Sequence, residues 1–473
     1  MNQKPVKKLK VSDIVLFTFA AVFVLDSFAA AAAIGWQSIV WLLIFALIYF
    51  LPYGFISAEL GAAIGDEGGI FAWVNRAFGR RWAIRSSWYY WINVALWMPS
   101  VFIAFSSTLS YTFFGNQLTL WTQIGIAISL IFLTTCFNFL SIDKLKWLPN
   151  LSSIAKLIVT IALIGAGIVW LVQNRSVSTP VLDPDFGFIP SWSKGVMFLP
   201  VIIYNLSGFE LSSNTSSEMD NPSRAIPKSI IIAGLTTIIA YVLGTAAVNI
   251  VLDVKEIDIS NGLIDTIKTA FNLPWIVEII ALFLLFTFFG NMITWTAGAN
   301  RTIIESAQSG AFPALFASRI RATNGPLWSS IITGLVSTLV VLLAGSLSSD
   351  GKISDLFWSI YAFSAVVFLL PYLLIFPAYL KLRIREPDLA RPFKIRGPLW
   401  VQVIISVLPT LIVVLSIFLY IFGAVVVGEK TLTLDDGGMQ VLFCLVGTAL
   451  TVAVGEALIF WQSRSKPQGV SNE

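Results

Sequence analysis

The chain has 473 residues, of which 57% are hydrophobic and 12% charged, and its mean hydropathy is +0.83. A soluble globular protein carries about twice that charged fraction, so the composition excludes one and predicts a protein that crosses the membrane many times. Without a histidine, a phosphate-binding loop or a Cys/His metal spacing, the sequence shows no catalytic constellation and no cofactor site, and any proton coupling falls to carboxylates, a lysine or the substrate.

Apolar windows of about 20 residues, the length that crosses the hydrocarbon core, recur at 14–35, 39–64, 84–114, 121–141, 148–173, 195–217, 227–252, 276–308, 328–347, 354–380, 400–427 and 438–461. They predict an all-α membrane protein of twelve transmembrane helices. The net charge of +4 is no sign of nucleic-acid binding, because the basic residues cluster in alternate loops. Lys4, Lys7, Lys8 and Lys10 precede the first span, Arg76, Arg80, Arg81 and Arg85 follow the second, and Lys381 to Arg396 hold a further group. This bias predicts both termini in the cytoplasm of a cell-membrane protein. The expected organisation is a cytoplasmic N-terminus at 1–10, a transport core of ten helices at 11–381, a cytoplasmic loop at 382–399, two more helices at 400–461 and a cytoplasmic tail at 462–473. Cys136 and Cys444 lie in apolar runs, so no disulfide is expected.

The first span, IVLFTFAAVFVLDSFAAAAAIG, carries one acid, Asp26, near its middle. A carboxylate there costs about 3 kcal/mol and normally faces a cavity or a partner. The Lys-rich start and the alanines could imitate a signal peptide, but the acid and the many later spans favour a membrane helix that breaks near Asp26 and Ser27. The alanines that follow, Ala29 to Ala33, allow close approach to the backbone. The sixth span contains YNLSGFE, Tyr204 to Glu210, where Asn205, Ser207 and Gly208 interrupt an otherwise apolar run. Exposed backbone at this depth is tolerated where it lines a cavity. Interrupted first and sixth spans point to an inverted-repeat transporter with its site between them.

These residues, with Ser57-Ala58-Glu59-Leu60, Gly68-Gly69-Ile70-Phe71-Ala72-Trp73, Phe78-Gly79 and the stretch from Glu218 to Pro227, resemble the amino acid, polyamine and organocation (APC) transporter superfamily over nearly the whole chain. The second-loop motif looks especially like the glutamate/γ-aminobutyrate antiporter branch. The resemblance implies a leucine-transporter-like 5+5 inverted repeat, broken at helices 1 and 6, with two additional C-terminal helices. Position by position it also implies roles. Glu210 matches the pH-sensitive coupling acid of arginine/agmatine exchangers, Tyr204 the aromatic that closes over substrate, Trp295 a second aromatic gate and Asn93 a polar substrate contact. Lys156 matches a lysine that stands where sodium sits in sodium-coupled relatives, holding carbonyls of the first span and hydroxyls of the eighth. Packing is the alternative for each aromatic, and it is the preferred reading for Trp88, Trp91 and Trp97.

One departure sets the expected cargo. Most amino-acid members have a Gly-Ser-Gly break in span one whose amides bind the substrate carboxylate, whereas this chain reads VLDSFAAAA. An acid there repels a carboxylate and attracts an ammonium or guanidinium. The expected substrate-binding set is Asp26, Ser27, Asn93, Tyr204, Ser207, Gly208 and Trp295, with Glu210, Lys156 and Tyr204 in coupling and gating. The expected activity is sodium-independent antiport of small cationic amines such as agmatine and putrescine. Glutamate/γ-aminobutyrate antiport, general neutral amino acid antiport and proton symport are the alternatives. The expected partners are the small-molecule substrate, protons as a candidate co-substrate and the lipid bilayer, with no nucleic acid and with the chain a monomer or a homodimer.

Overall fold

The computed structural model describes residues 10–25, 27–64, 69–219, 221–310, 312–347, 353–426 and 438–465. Among them the regular structure is helical, with an isolated β-bridge between Arg319 and Pro326. The helices are α1 (Val11–Val22), α2 (Ser27–Ala32), α3 (Gln37–Ala63), α4 (Ile70–Phe78), α5 (Arg80–Phe113), α6 (Leu120–Asn138), α7 (Trp147–Asn174) and α8 (Trp192–Asn205). After a 3-10 stretch over Phe209–Glu218 come α9 (Pro222–Val251), α10 (Gly262–Phe271), α11 (Pro274–Gln308), α12 (Trp328–Leu347), α13 (Ile353–Leu369), α14 (Tyr372–Arg385), α15 (Leu399–Val426) and α16 (Gly438–Ser465).

Ten spans among the described residues are long and apolar enough to cross a membrane, one of them, Ile360–Arg385, running through α13 and α14 together. The first and sixth sequence windows do not add to that number because each falls on two short pieces, α1 with α2 and α8 with the 3-10 stretch. The helix boundaries otherwise follow the apolar windows closely. The larger departures are α5, which begins at Arg80, α9, which begins at Pro222, α16, which ends at Ser465, and α14, which runs on to Arg385, past the boundary expected at 381.

Burial sorts centre from rim. In the most apolar window of α5, 83% of residues are buried, against 17% for the last helix, so α5 is the central post and α16 lies at the periphery. α5 packs against α11 and α13, and α7 against α11 and α9. The link after α7 is not a slack tether. Trp36 and Gln37 at the start of α3 donate to the carbonyls of Phe186, Thr179 and Asp185 at 2.7 to 2.9 Å. Gly35 lets this strap lie close: a Cβ there would stand 2.2 Å from the Phe186 carbonyl oxygen.

At another end of the bundle the loop after α14 is pinned by a buried acid. Glu59, 1% exposed, accepts from Arg383 Nη2 at 2.7 Å and from the Ile395 amide at 2.7 Å, and pairs with Arg391 Nε at 3.0 Å. Two guanidinium groups and an amide thus surround one buried carboxylate, and removing a guanidinium would leave buried charge uncompensated.

Candidate functional site

α1 stops because Phe23 turns extended, and its last carbonyls need donors that the helix cannot supply. Lys156 of α7, 2% exposed, supplies two of them. Its ammonium donates to the Ala20 carbonyl at 2.6 Å and to that of Phe23, and approaches Asn291 Oδ1 at 3.3 Å. A cation at a helix C-terminus also meets the negative end of the helix dipole. One eighth-span partner of this ammonium is thus the amide oxygen of Asn291. Trp295 Nε1 donates to the next carbonyl, that of Ala21, at 3.1 Å. Tyr241 of α9 closes the gap from the other side: its hydroxyl accepts from the Val24 amide at 3.0 Å and donates to the Val24 carbonyl at 3.3 Å.

α8 ends at Asn205, and Gly208 takes φ +122°, a conformation that side chains disfavour. The freed amides of Gly208 and Phe209 donate to the Tyr53 hydroxyl at 2.9 and 2.7 Å. That hydroxyl in turn donates to Glu210 Oε2, while Tyr372 donates to Glu210 Oε1 at 2.9 Å. Glu210 is fully buried, and no ion pair to it is present among the described residues. Ser207 shares a 2.7 Å hydrogen bond with Tyr49 and also donates to the Ile203 carbonyl, so its hydroxyl is engaged within the protein.

Trp295 joins the two interruptions. Its indole nitrogen is on α1, and its ring lies so near Gly208 that a Cβ there would be 2.9 Å from Cζ2 and 3.6 Å from Val22 Cγ2. Gly208→Ala is therefore expected to strain the backbone by on the order of 1–3 kcal/mol and to push Trp295 away. A lower melting temperature and a loss of exchange in reconstituted vesicles should follow, and an alanine variant that matches the parent in both measurements would refute the close approach.

An aromatic wall surrounds this junction. Trp97 stands edge-on to Tyr204 at 5.9 Å and to Trp295 at 5.8 Å, and Phe368 lies 5.0 Å from Tyr204, 5.4 Å from Trp295 and 5.2 Å from Tyr372. Tyr361 adds a further ring, 5.0 Å from Tyr204. Trp97, expected from the sequence to be a packing residue, shares one face of α5 with Tyr90 and Asn93. Tyr90 lies 6.2 Å from Trp295. Trp88 and Trp91 are elsewhere: their indoles donate to the Thr451 carbonyl and to Asn300.

Asn93 is 1% exposed and its Oδ1 has no hydrogen-bond partner among the described residues; Tyr90 and Ser27 carry unpartnered hydroxyls as well. Buried polar atoms of this kind are normally satisfied by protein, water or ligand, so this face of α5 and the start of α2 offer polar groups still able to bind. Asp26 lies outside the described residues. Sequence reasoning missed Tyr53, Tyr372, Tyr241, Asn291 and Phe368. Of these, only the position of Tyr53 in span two, near the Ser57-to-Leu60 motif, gave any signal.

The family model described as "Amino acid permease" matches residues 9–450. A probable agmatine/putrescine antiporter of Lactococcus lactis is 32% identical over 459 residues, covering 96% of this chain and 95% of that one. A glutamate/γ-aminobutyrate antiporter of the same organism is 25% identical, covering 89% and 84%. In fold, the chain is similar to the crystal structure of a manganese transporter of Eremococcus coleocola, with a TM-score of 0.58 at 15% identity over 96% of this chain and 94% of that one.

Proposed function

The chain belongs to the amino acid permease family, and on that premise we propose that it is a sodium-independent antiporter of small cationic amines, of which agmatine and putrescine are the leading pair. In this reading twelve helices cross the cell membrane with both termini cytoplasmic, the first ten form a 5+5 inverted repeat of the leucine-transporter kind, and two follow. The observation that carries the proposal is the junction at Trp295, where two interrupted helices meet beside a wall of aromatic rings. Aromatic faces attract a desolvated ammonium or guanidinium, and half-helices at mid-membrane depth are where such transporters bind their cargo. The name of the relative at 32% identity points to the same substrate class.

Asp26 supplies the counter-charge by its position in the sequence, with Tyr204, Trp295, Asn93, Ser27, Ser207 and Gly208 around the substrate, and with Glu210 and Lys156 in coupling. The test is competition in proteoliposomes. Putrescine and agmatine should displace labelled putrescine far better than glutamate or γ-aminobutyrate, and Asp26→Asn should weaken the divalent amines by at least about tenfold, the size of a lost charged contact of 1.5–3 kcal/mol, while sparing a neutral amino acid. Displacement by the anionic amino acid alone would replace this reading with the glutamate/γ-aminobutyrate one, which the second relative favours.

A further inference from the structure

Away from the helix breaks, α14 and α15 border an open groove of about 510 Å³. Pro377, Leu380 and Ile384 of α14 and Val407 and Leu411 of α15 line it, together with Phe78 of α4. Ile384, Val407 and Leu411 are 57%, 42% and 59% exposed, so these walls face the surroundings and not the core. The hydroxyls along the groove are spent: Ser406 donates to the Phe376 carbonyl and Thr410 to that of Ser406, both at 2.8 Å. What the groove presents over most of its length is hydrocarbon.

Its rim is different. Lys381 and Arg385 line the same groove, four residues apart on one face of α14. Lys381 Nζ sits over the Phe78 ring at 4.5 Å. Neighbouring basic residues are neutralised, with Arg383 and Arg391 on Glu59 and Arg76 on Glu386. Lys381 and Arg385 have no ion pair among the described residues.

The depth is also set. Arg385 is the last residue of α14, and α15 begins at Leu399 and Trp400, 58% and 65% exposed. Exposed tryptophan at a helix end marks the headgroup level. From there to Pro377 the helix descends about 12 Å into the hydrocarbon. Two cations with no ion pair among the described residues thus line the interfacial end of an apolar channel.

We propose that this groove is a binding site for one anionic phospholipid, its phosphate held between Lys381 and Arg385 and an acyl chain lying along Leu380, Ile384, Val407 and Leu411. Basic pockets between membrane helices at the interface suit such headgroups. A second copy of the chain fits worse, since a two-fold contact across this face would bring like charges together.

The test uses the full chain purified in neutral detergent and native mass spectrometry with phosphatidylglycerol and phosphatidylcholine of identical acyl chains. The parent should retain the anionic lipid at least about tenfold more, the ratio two interfacial basic residues supply together. Lys381→Gln with Arg385→Gln should equalise the two lipids, and Val407→Trp should lower the retention of both by filling the channel. Arg385→Gln alone, at an exposed position, gives a partial loss of preference and serves if the double variant does not fold. Equal retention by the parent, or an undiminished preference in the variants, would overturn the site. Glycerophosphoglycerol competing as well as the intact lipid would overturn the groove's part in it.

Discussion

Lys156→Met is expected to lower exchange by more than about tenfold and to reduce the melting temperature of the purified protein. Methionine fills much of the same space but donates nothing, so the Ala20 and Phe23 carbonyls that the ammonium now serves lose their donor. Each buried acceptor left unsatisfied costs about 1–3 kcal/mol, and these two sit at the end of α1, where the helix dipole adds a negative field. About 1.4 kcal/mol already corresponds to tenfold in rate or equilibrium, so even the lower end of the combined loss should be measurable. The effect should be local, because Trp295 on Ala21 and Tyr241 on Val24 still hold the flanking backbone. Arginine is not expected to rescue it, since a planar fork does not reproduce the compact ammonium among carbonyls. Exchange and melting temperature both at the parent level in Lys156→Met would show a lysine that is present but idle.

This contrast explains what could be read in the sequence. Hydrophobic windows report length and apolarity, which is why most helices fall near where they were expected, and a Gly or an acid inside such a window reports a local break, which is why interruptions near Asp26 and Ser27 and within Tyr204 to Glu210 were expected; α1 in fact ends earlier, at Val22. Lys156 stood out because a cation deep in a span has few uses. The groups that repair the breaks carry no such signal. Tyr53 and Tyr372 are 157 and 162 positions from Glu210, and in an aromatic-rich chain a buried tyrosine reads as packing until the fold shows where its hydroxyl ends. Asn291 and Tyr241 are hidden in the same way, each one polar tip in an apolar run. The broken spans show the opposite limit: in the sequence each reads as one continuous apolar run, whereas in the structure each is two pieces too short to cross alone.

Glu210→Gln separates a working acid from a structural one. Tyr53 already accepts from two backbone amides and must give its own proton to an acceptor, and the glutamine carbonyl oxygen can take it. Tyr372 has no such constraint and can turn to accept from the glutamine amide in place of donating to the carboxylate. The substitution therefore keeps the hydrogen bonds and removes only the ability to hold a charge or exchange a proton, so the variant should fold with a melting temperature close to that of the parent. Glu210→Ala leaves both phenols without an acceptor in a fully buried position, and it should lose on the order of 1–3 kcal/mol per unsatisfied hydroxyl. If Glu210 couples substrate movement to protonation, the glutamine variant will exchange at least about tenfold more slowly, at the low end of what general acid–base groups contribute. Its rate will also no longer vary over the pH range in which the parent's does. A glutamine variant with the parent's rate and pH profile, beside an alanine variant that merely unfolds earlier, would reduce Glu210 to a brace for the broken sixth span.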